Sequence, residues 1–294
     1  MKIGYFADGP WSHKAFELII SDQNLQICFI VPRIDTVDET LKNYAKEYGI
    51  DYINPVDINS IEFINLAKSY ECDIFVSMSF NQIFKNDLIN IPRLKTINCH
   101  AGKLPFYRGR NVLNWVLIND EKEFGITVHY IDSGIDTGDI ILQKAFPITD
   151  EDNYQSLLER AYIECANILY QALNMINSNS VMPIKQSSIH PVGFYCGGRG
   201  KGDELINWNS TSREIFNFIR ALSTPGPIAT TYLCNSIVKI NKAKLVDNAP
   251  TYINKPGQIL RKTDAGYLIK TGDSFIEIQE IQKEKKLKIG ARFS

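Results

Sequence analysis

The chain has no Cys-x-x-Cys pair and no His/Cys cluster; its six cysteines stand apart at positions 28, 72, 99, 165, 196 and 234. That spacing supplies neither a zinc site nor the disulfide framework of a small secreted domain, so reduced thiols and no bound metal are expected. No stretch approaches the roughly 18 consecutive apolar residues that a membrane span needs. The opening Lys2-Ile3-Gly4-Tyr5-Phe6 reads as a strand rather than a secretory signal. A cytoplasmic location without a membrane partner is expected. A strong charge of one sign is also lacking, and the net charge of −1 argues against a dedicated nucleic-acid binder. The Gly-x-Gly-x-x-Gly of dinucleotide enzymes does not follow the first strand, where Asp8-Gly9-Pro10-Trp11 stands instead, so a nicotinamide oxidoreductase is disfavoured. A Gly-Lys-Ser/Thr phosphate loop, a Gly-x-Ser-x-Gly nucleophile turn and a metal-binding His pair are missing as well.

What is present is ordinary globular composition, 44% hydrophobic and 22% charged, over 294 residues, enough for two cores. Residues 1–190 carry 16 basic against 24 acidic side chains, whereas residues 191–294 carry 16 against 9. An acidic front and a basic back suggest two units, with the back the better place for an anion. Through residue 190, short apolar runs alternate with amphipathic stretches, the pattern of an α/β fold with a mostly parallel sheet. Strands are expected at 2–7, 25–31, 51–53, 73–77, 95–99, 125–130 and 140–146, and helices at 10–21, 36–48, 58–69, 111–119 and 152–176. The Gly-rich Cys196-Gly197-Gly198-Arg199-Gly200-Lys201-Gly202 lies in a linker over 191–210. Residues 211–294 read as a helix, 212–222, followed by short strands that build a small β-barrel.

Chemistry concentrates between Ile97 and Asp139. Asn98 and His100, two apart at the end of an expected strand, project to one side where α/β proteins place reacting groups. The loop Leu104-Pro105-Phe106-Tyr107-Arg108-Gly109 follows. Then comes a Gly-hinged acidic loop, Asp132-Ser133-Gly134-Ile135-Asp136-Thr137-Gly138-Asp139. An Asn, a His and an Asp on neighbouring loops can serve acyl transfer without a covalent nucleophile. The other histidines, 13, 129 and 190, read as structural, and Trp115 and Trp208 as core aromatics.

These residues resemble the formyltransferases that use 10-formyltetrahydrofolate, with the Asn-x-His, Leu-Pro-x-x-Arg-Gly and Asp-x-Gly-x-Asp-Thr-Gly-Asp segments in order and at matching separations. The resemblance extends through Leu205-Ile206-Asn207-Trp208, Ile219-Arg220-Ala221-Leu222 and Lys255-Pro256-Gly257, covering nearly the whole chain. It implies a Rossmann-like catalytic domain and an OB-like C-terminal barrel. Asn98, His100 and Asp136 would be the catalytic trio, and 10-formyltetrahydrofolate the formyl donor, with no metal. It also implies that the donor is bound by Phe80, Gln82, Ile83, Leu104, Asp132 and Asp136. Tyr107, Arg108, Arg199 and Lys201 are candidates for holding the acceptor, the last two because cations on a Gly-rich loop suit a diphosphate. The chain departs from the family's Ser-Leu-Leu-Pro with Gly102-Lys103-Leu104-Pro105.

The family's members share chemistry and differ in the amine they formylate. The methionyl-tRNA enzymes carry a basic insertion after the second strand; here that place is the short, acidic Pro32-Arg33-Ile34-Asp35-Thr36-Val37-Asp38-Glu39. The purine-pathway enzymes generally lack the C-terminal barrel. The expected acceptor is therefore the amine of a sugar nucleotide, such as a UDP- or dTDP-4-amino-4,6-dideoxy sugar of a pseudaminic-acid-type pathway. Methionyl-tRNA is the alternative, and a homodimer is left open. The cluster Lys283, Lys285, Lys286, Lys288 and Arg292 near the C-terminus is the one feature that favours tRNA.

Overall fold

The computed structural model of the chain describes residues 1–36, 38–283 and 286–294, so Val37 of the acidic segment and Lys285 of the basic cluster lie outside the described residues. The first half runs β1 (Lys2–Ala7), α1 (Pro10–Ile20), β2 (Gln26–Val31), α2 (Glu39–Tyr48), β3 (Asp51–Tyr52), α3 (Ile61–Ser69), β4 (Ile74–Met78), α4 (Asn86–Ile89) and β5 (Thr96–His100). It continues with β6 (Arg108–Gly109), α5 (Val112–Ile118), β7 (Glu123–Tyr130), β8 (Ile140–Pro147), α6 (Tyr154–Asn177), α7 (Gln186–Ile189) and β9 (Tyr195–Cys196). The C-terminal part comprises α8 (Ser212–Leu222), β10 (Ala229–Leu233), β11 (Ser236–Leu245), β12 (Ile259–Lys262), β13 (Tyr267–Lys270) and β14 (Phe275–Lys283).

Two compact units emerge. One comprises residues 1–109, 124–146 and 159–196, and the other 110–123, 147–158 and 197–294. The first unit is built on a seven-stranded sheet in the order β3-β2-β1-β4-β5-β7-β8. β1 pairs in parallel with β2 and β4, and β4 with β5, while β7 runs antiparallel to β5. Burial on both faces explains the largely apolar runs of β1 and β4, in which every residue but Lys2 is buried. Gly4 is required in β1, since a Cβ there would meet the Phe29 ring at 2.5 Å and the Phe75 ring at 2.7 Å. Those rings join Phe6, Phe63 and Phe84 in one aromatic core. Side-chain caps set two helix starts: Asp38 accepts from the Leu41 amide and Ser60 from the Phe63 amide. The cap moves the start of α2 from the expected Thr36 to Glu39. Strand order reverses between β1 and β4, which opens a crevice at the carboxyl ends of the central strands.

The second unit packs α8 and the five-stranded antiparallel sheet β10-β11-β14-β13-β12 around Trp208, Ile215, Ile219, Val238, Ile276 and Phe293. A Thr211/Glu214 capping box begins α8. The chain's last residues bridge the sheet's two edges. Phe293 and Gly290 donate to Gly257 and Ile259 on the β12 side, and Ser294 exchanges two backbone hydrogen bonds with Tyr232 on β10. This is how a five-stranded sheet closes towards the expected barrel. Segment 110–123 belongs with this unit through α5, whose Asn114 amide donates to the Ala221 carbonyl at 2.6 Å.

Candidate active site

β5 delivers Asn98 and His100 to the crevice, and its antiparallel partner β7 places His129 directly opposite Asn98. The Asp136 loop follows β7. Asn98, His100 and Asp136 are thereby brought together, and His129, read as structural in sequence, joins them. The Asp136 carboxylate lies 3.7 Å from His100 Nδ1 and 3.5 Å from His129 Nε2, and accepts the Gly109 amide at 2.8 Å. Burial pushes the Asp136 carboxyl up. The His100 charge, His129 and the Gly109 N–H outweigh it, holding the carboxyl well below the usual carboxylate range.

Hydrogen-bond logic fixes both imidazoles. His100 Nε2 lies 2.7 Å from the Tyr107 carbonyl, which can only accept, so Nε2 carries a proton and Nδ1 faces Asp136. His129 Nδ1 donates to the Tyr130 carbonyl at 2.8 Å, leaving Nε2 between Asn98 Nδ2 at 3.3 Å and Asp136. One carboxylate flanked by two imidazoles and an amide can stabilise developing negative charge and relay a proton.

The Gly102-Lys103 departure has a local cause. A Cβ at Gly102 would come within 2.4 Å of His100 Nε2 and 2.5 Å of the Tyr107 carbonyl, so glycine lets the imidazole seat against that carbonyl. Lys103 is exposed, and its backbone lies flush on β7, where a Cβ at Gly125 would meet Lys103 Cβ at 2.5 Å.

Among the expected donor-binding residues, Phe80 packs on Phe6 and Phe84 and Ile83 is exposed. Gln82 Oε1 accepts from the Ile58 amide, while Gln82 Nε2 and Asn81 Oδ1 are buried without an intramolecular partner. An orphaned donor and an orphaned acceptor on consecutive residues fit a ligand whose edge carries both kinds of group, as a pterin does. Leu104 is 1% exposed within the protein core, with its carbonyl held by Gln143. Asp132 accepts from the Gly134 amide and the Thr137 hydroxyl, shaping its own loop.

The expected acceptor-binding residues have other partners. Tyr107 contributes its carbonyl to His100 and its ring to Phe194. Arg108, 8% exposed, grips Gln186. Arg199, in the second unit, lies over the Trp115 and Phe218 rings and donates to the Asp203 carbonyl. The neighbouring Gly200 and Gly202 amides already bind the Asp203 and Glu204 carboxylates, each at 2.7 Å, so a diphosphate would have to displace them. Lys201 is exposed. Among the described residues no His/Cys/Asp/Glu group could hold a metal, and no helix is long and apolar enough to cross a membrane.

The chain matches the formyl transferase family over residues 15–173 and the family's C-terminal domain over 200–293. It belongs to the formyl transferase family. A methionyl-tRNA formyltransferase from Pelotomaculum thermopropionicum is 33% identical over 85% of this chain and 79% of its own length. Another from Alkaliphilus metalliredigens is 32% identical over 86% and 79%. Among solved structures, WlaRD, a sugar 3N-formyl transferase in the presence of dTDP and 5-N-formyl-THF, superimposes with a TM-score of 0.68 and 27% identity, covering 97% of this chain and 99% of its own. The N-formyltransferase from Helicobacter canadensis, in complex with folinic acid and dTDP-3-aminofucose, gives 0.71 and 25%, covering 97% and 100%. The chain is a formyl-transferring enzyme, and what differs among these relatives is the acceptor.

Proposed function

We propose that this formyltransferase moves the formyl group of 10-formyltetrahydrofolate to the amine of a nucleotide-linked amino sugar. The observation that carries the acceptor class is full-length similarity to two sugar N-formyltransferase structures, each matched over essentially its entire chain. Both are described with dTDP or a dTDP-3-amino sugar, so the 3-amino isomers join the 4-amino sugar expected from sequence. Methionyl-tRNA is the second reading, favoured by the identity of 33% to tRNA enzymes, of which this chain spans 79%.

The donor supplies an activated formyl carbon. Its bond to N10 breaks as the bond to the acceptor nitrogen forms, and the proton shed by the amine ends on N10. Asn98 Nδ2 and a ring N–H of His100 stabilise the oxygen as it becomes negative. His100 Nε2 sits on the Tyr107 carbonyl and Nδ1 faces Asp136, so the imidazole meets the reacting oxygen by exchanging one of these partners. Asp136, kept ionised, takes the amine proton directly or through water and passes it on to N10 as that bond breaks. The side chains of Asn81 and Gln82, beside the main chain at Ile83, hold the pterin edge. The test is mass-spectrometric detection of one added formyl group on a panel of 3- and 4-amino sugar nucleotides, run beside charged initiator tRNA. Formylation of a sugar nucleotide is expected, and turnover of tRNA alone would overturn the reading.

A further inference from the structure

Asp136 sits on an exposed loop: residues 132–135 are all exposed, and Asp136 itself has φ +54° in the left-handed region, a conformation that a residue with a side chain keeps only when its surroundings impose it. Apolar burial supplies little hold on this loop. Gln186, at the start of α7 and 3% exposed, supplies the hold from a distant part of the sequence. Its Nε2 donates both hydrogens to the loop, one to the Asp136 carbonyl and one to the Gly138 carbonyl, each at 2.8 Å. Its Oε1 accepts from Arg108 Nε at 3.1 Å and Nη2 at 2.7 Å. Donors on one side and acceptors on the other leave the amide a single orientation.

Arg108 is fixed in turn. Its Nη1 donates to the Val192 carbonyl at 3.2 Å, and its guanidinium lies 5.3 Å from the Tyr195 ring centre, on β9, which pairs with β6. The residue after Arg108 closes the circuit, because the Gly109 amide donates to Asp136 Oδ2. One dipeptide, Arg108-Gly109, thus holds Asp136 twice: the glycine by its carboxylate, and the arginine through Gln186 by its backbone.

We infer that Arg108 and Gln186 are positioning residues that hold the Asp136 carboxylate in register with His100, and that Arg108 acts through Gln186 rather than by touching the acceptor. The inference rests on the reading that Asp136 takes part in the reaction. Gln186→Ala removes the clamp. A displacement approaching 1 Å at a reacting group costs roughly 100-fold, so kcat is expected to fall about 10- to 100-fold with KM for either substrate changed by less than about 3-fold. Gln186→Glu guards against a folding failure, since it keeps the side-chain shape and gives Arg108 a carboxylate while replacing both donors to the loop by acceptors. It is expected to lose kcat similarly.

Two further readouts separate positioning from simple destabilisation. In an Asp136→Asn background, Gln186→Glu should lower kcat by less than about 2-fold more, because residues acting through one group are non-additive. Hydrogen exchange over residues 132–139 should quicken in both Gln186 variants while the β4 and β5 amides keep their protection. Unchanged kcat and unchanged loop exchange in a folded Gln186→Glu protein would overturn the inference, as would a rise in acceptor KM alone. If Asp136→Asn proved as active as the native enzyme, the Asp136 reading would fail. Loop exchange would then decide the clamp alone, faster exchange supporting it and unchanged exchange overturning it.

Discussion

Replacing His129 by leucine should damage catalysis although no sequence segment marks this residue. The imidazole is 3% exposed, bonded to the Tyr130 carbonyl, and shared between Asn98 at 3.3 Å and Asp136 at 3.5 Å. Leucine roughly fills the space and supplies no polar atom. Asn98 then loses the contact that sets its amide, and Asp136 loses one of the groups that keep its carboxyl low. A hydrogen bond to a charged group contributes about 1.5–3 kcal/mol. At 1.36 kcal/mol per factor of ten, the loss is roughly 10- to 150-fold in kcat. His129→Gln, whose amide offers a donor towards Asp136 and an acceptor towards Asn98, should recover most of it. Steady-state formylation followed by mass spectrometry, with thermal unfolding as a control, measures both variants. Native kcat in a folded His129→Leu enzyme would refute the reasoning.

His100→Asn and Asp136→Asn should each cut turnover by about two orders of magnitude or more with the fold intact, since in the proposed mechanism both groups act mainly in the transition state; kcat and circular dichroism check this. Gly4→Ala should destabilise the first unit by about 1–3 kcal/mol, because the added methyl overlaps the Phe29 and Phe75 rings, and urea unfolding would read it. In the second unit, hydrogen bonds from Arg213 lower the Asp120 carboxyl to about 2, against an unfolded value near ~3.9. Its stabilisation is therefore complete above the unfolded value and disappears as pH falls towards 2. Asp120 is over one-third exposed and Arg213 nearly so, so Asp120→Asn should cost less than about 1 kcal/mol at neutral pH in denaturant titrations, with the gap from the native protein closing in acid.

The sheet was readable because parallel strands buried on both faces leave largely apolar runs, as in Ile74–Met78, and because Asn98 and His100 stand at the end of the neighbouring strand Thr96–His100. What escaped depends on pairing across distance. His129 enters the site through the register that sets it opposite Asn98, and nothing in the local sequence reveals antiparallel register between β5 and β7. Arg108 looked available for substrate, since its partner Gln186 lies 78 positions away. Arg199 and its glycines suggested phosphate binding, yet Asp203 and Glu204, immediately downstream, already occupy the loop amides. The acidic segment after β2 likewise has structural duties, Asp38 capping α2 and Asp35 pairing with Arg33. The two units also interleave along the chain, as contacts such as Asn114 with Ala221 decide which segments cluster, and composition carries no trace of that.

The most direct test of the account is a head-to-head formylation assay with dTDP- and UDP-linked amino sugars and charged initiator tRNA, each at low and moderate salt. A sugar nucleotide offers only a diphosphate. The account therefore predicts formylation of an amino-sugar nucleotide with a shallow salt dependence and no measurable product on tRNA. Binding of tRNA through about six phosphates would instead weaken roughly 1000-fold between ~50 and ~200 mM salt. Formylation of tRNA with that steep salt dependence, at a rate rivalling any amino-sugar nucleotide, would contradict it.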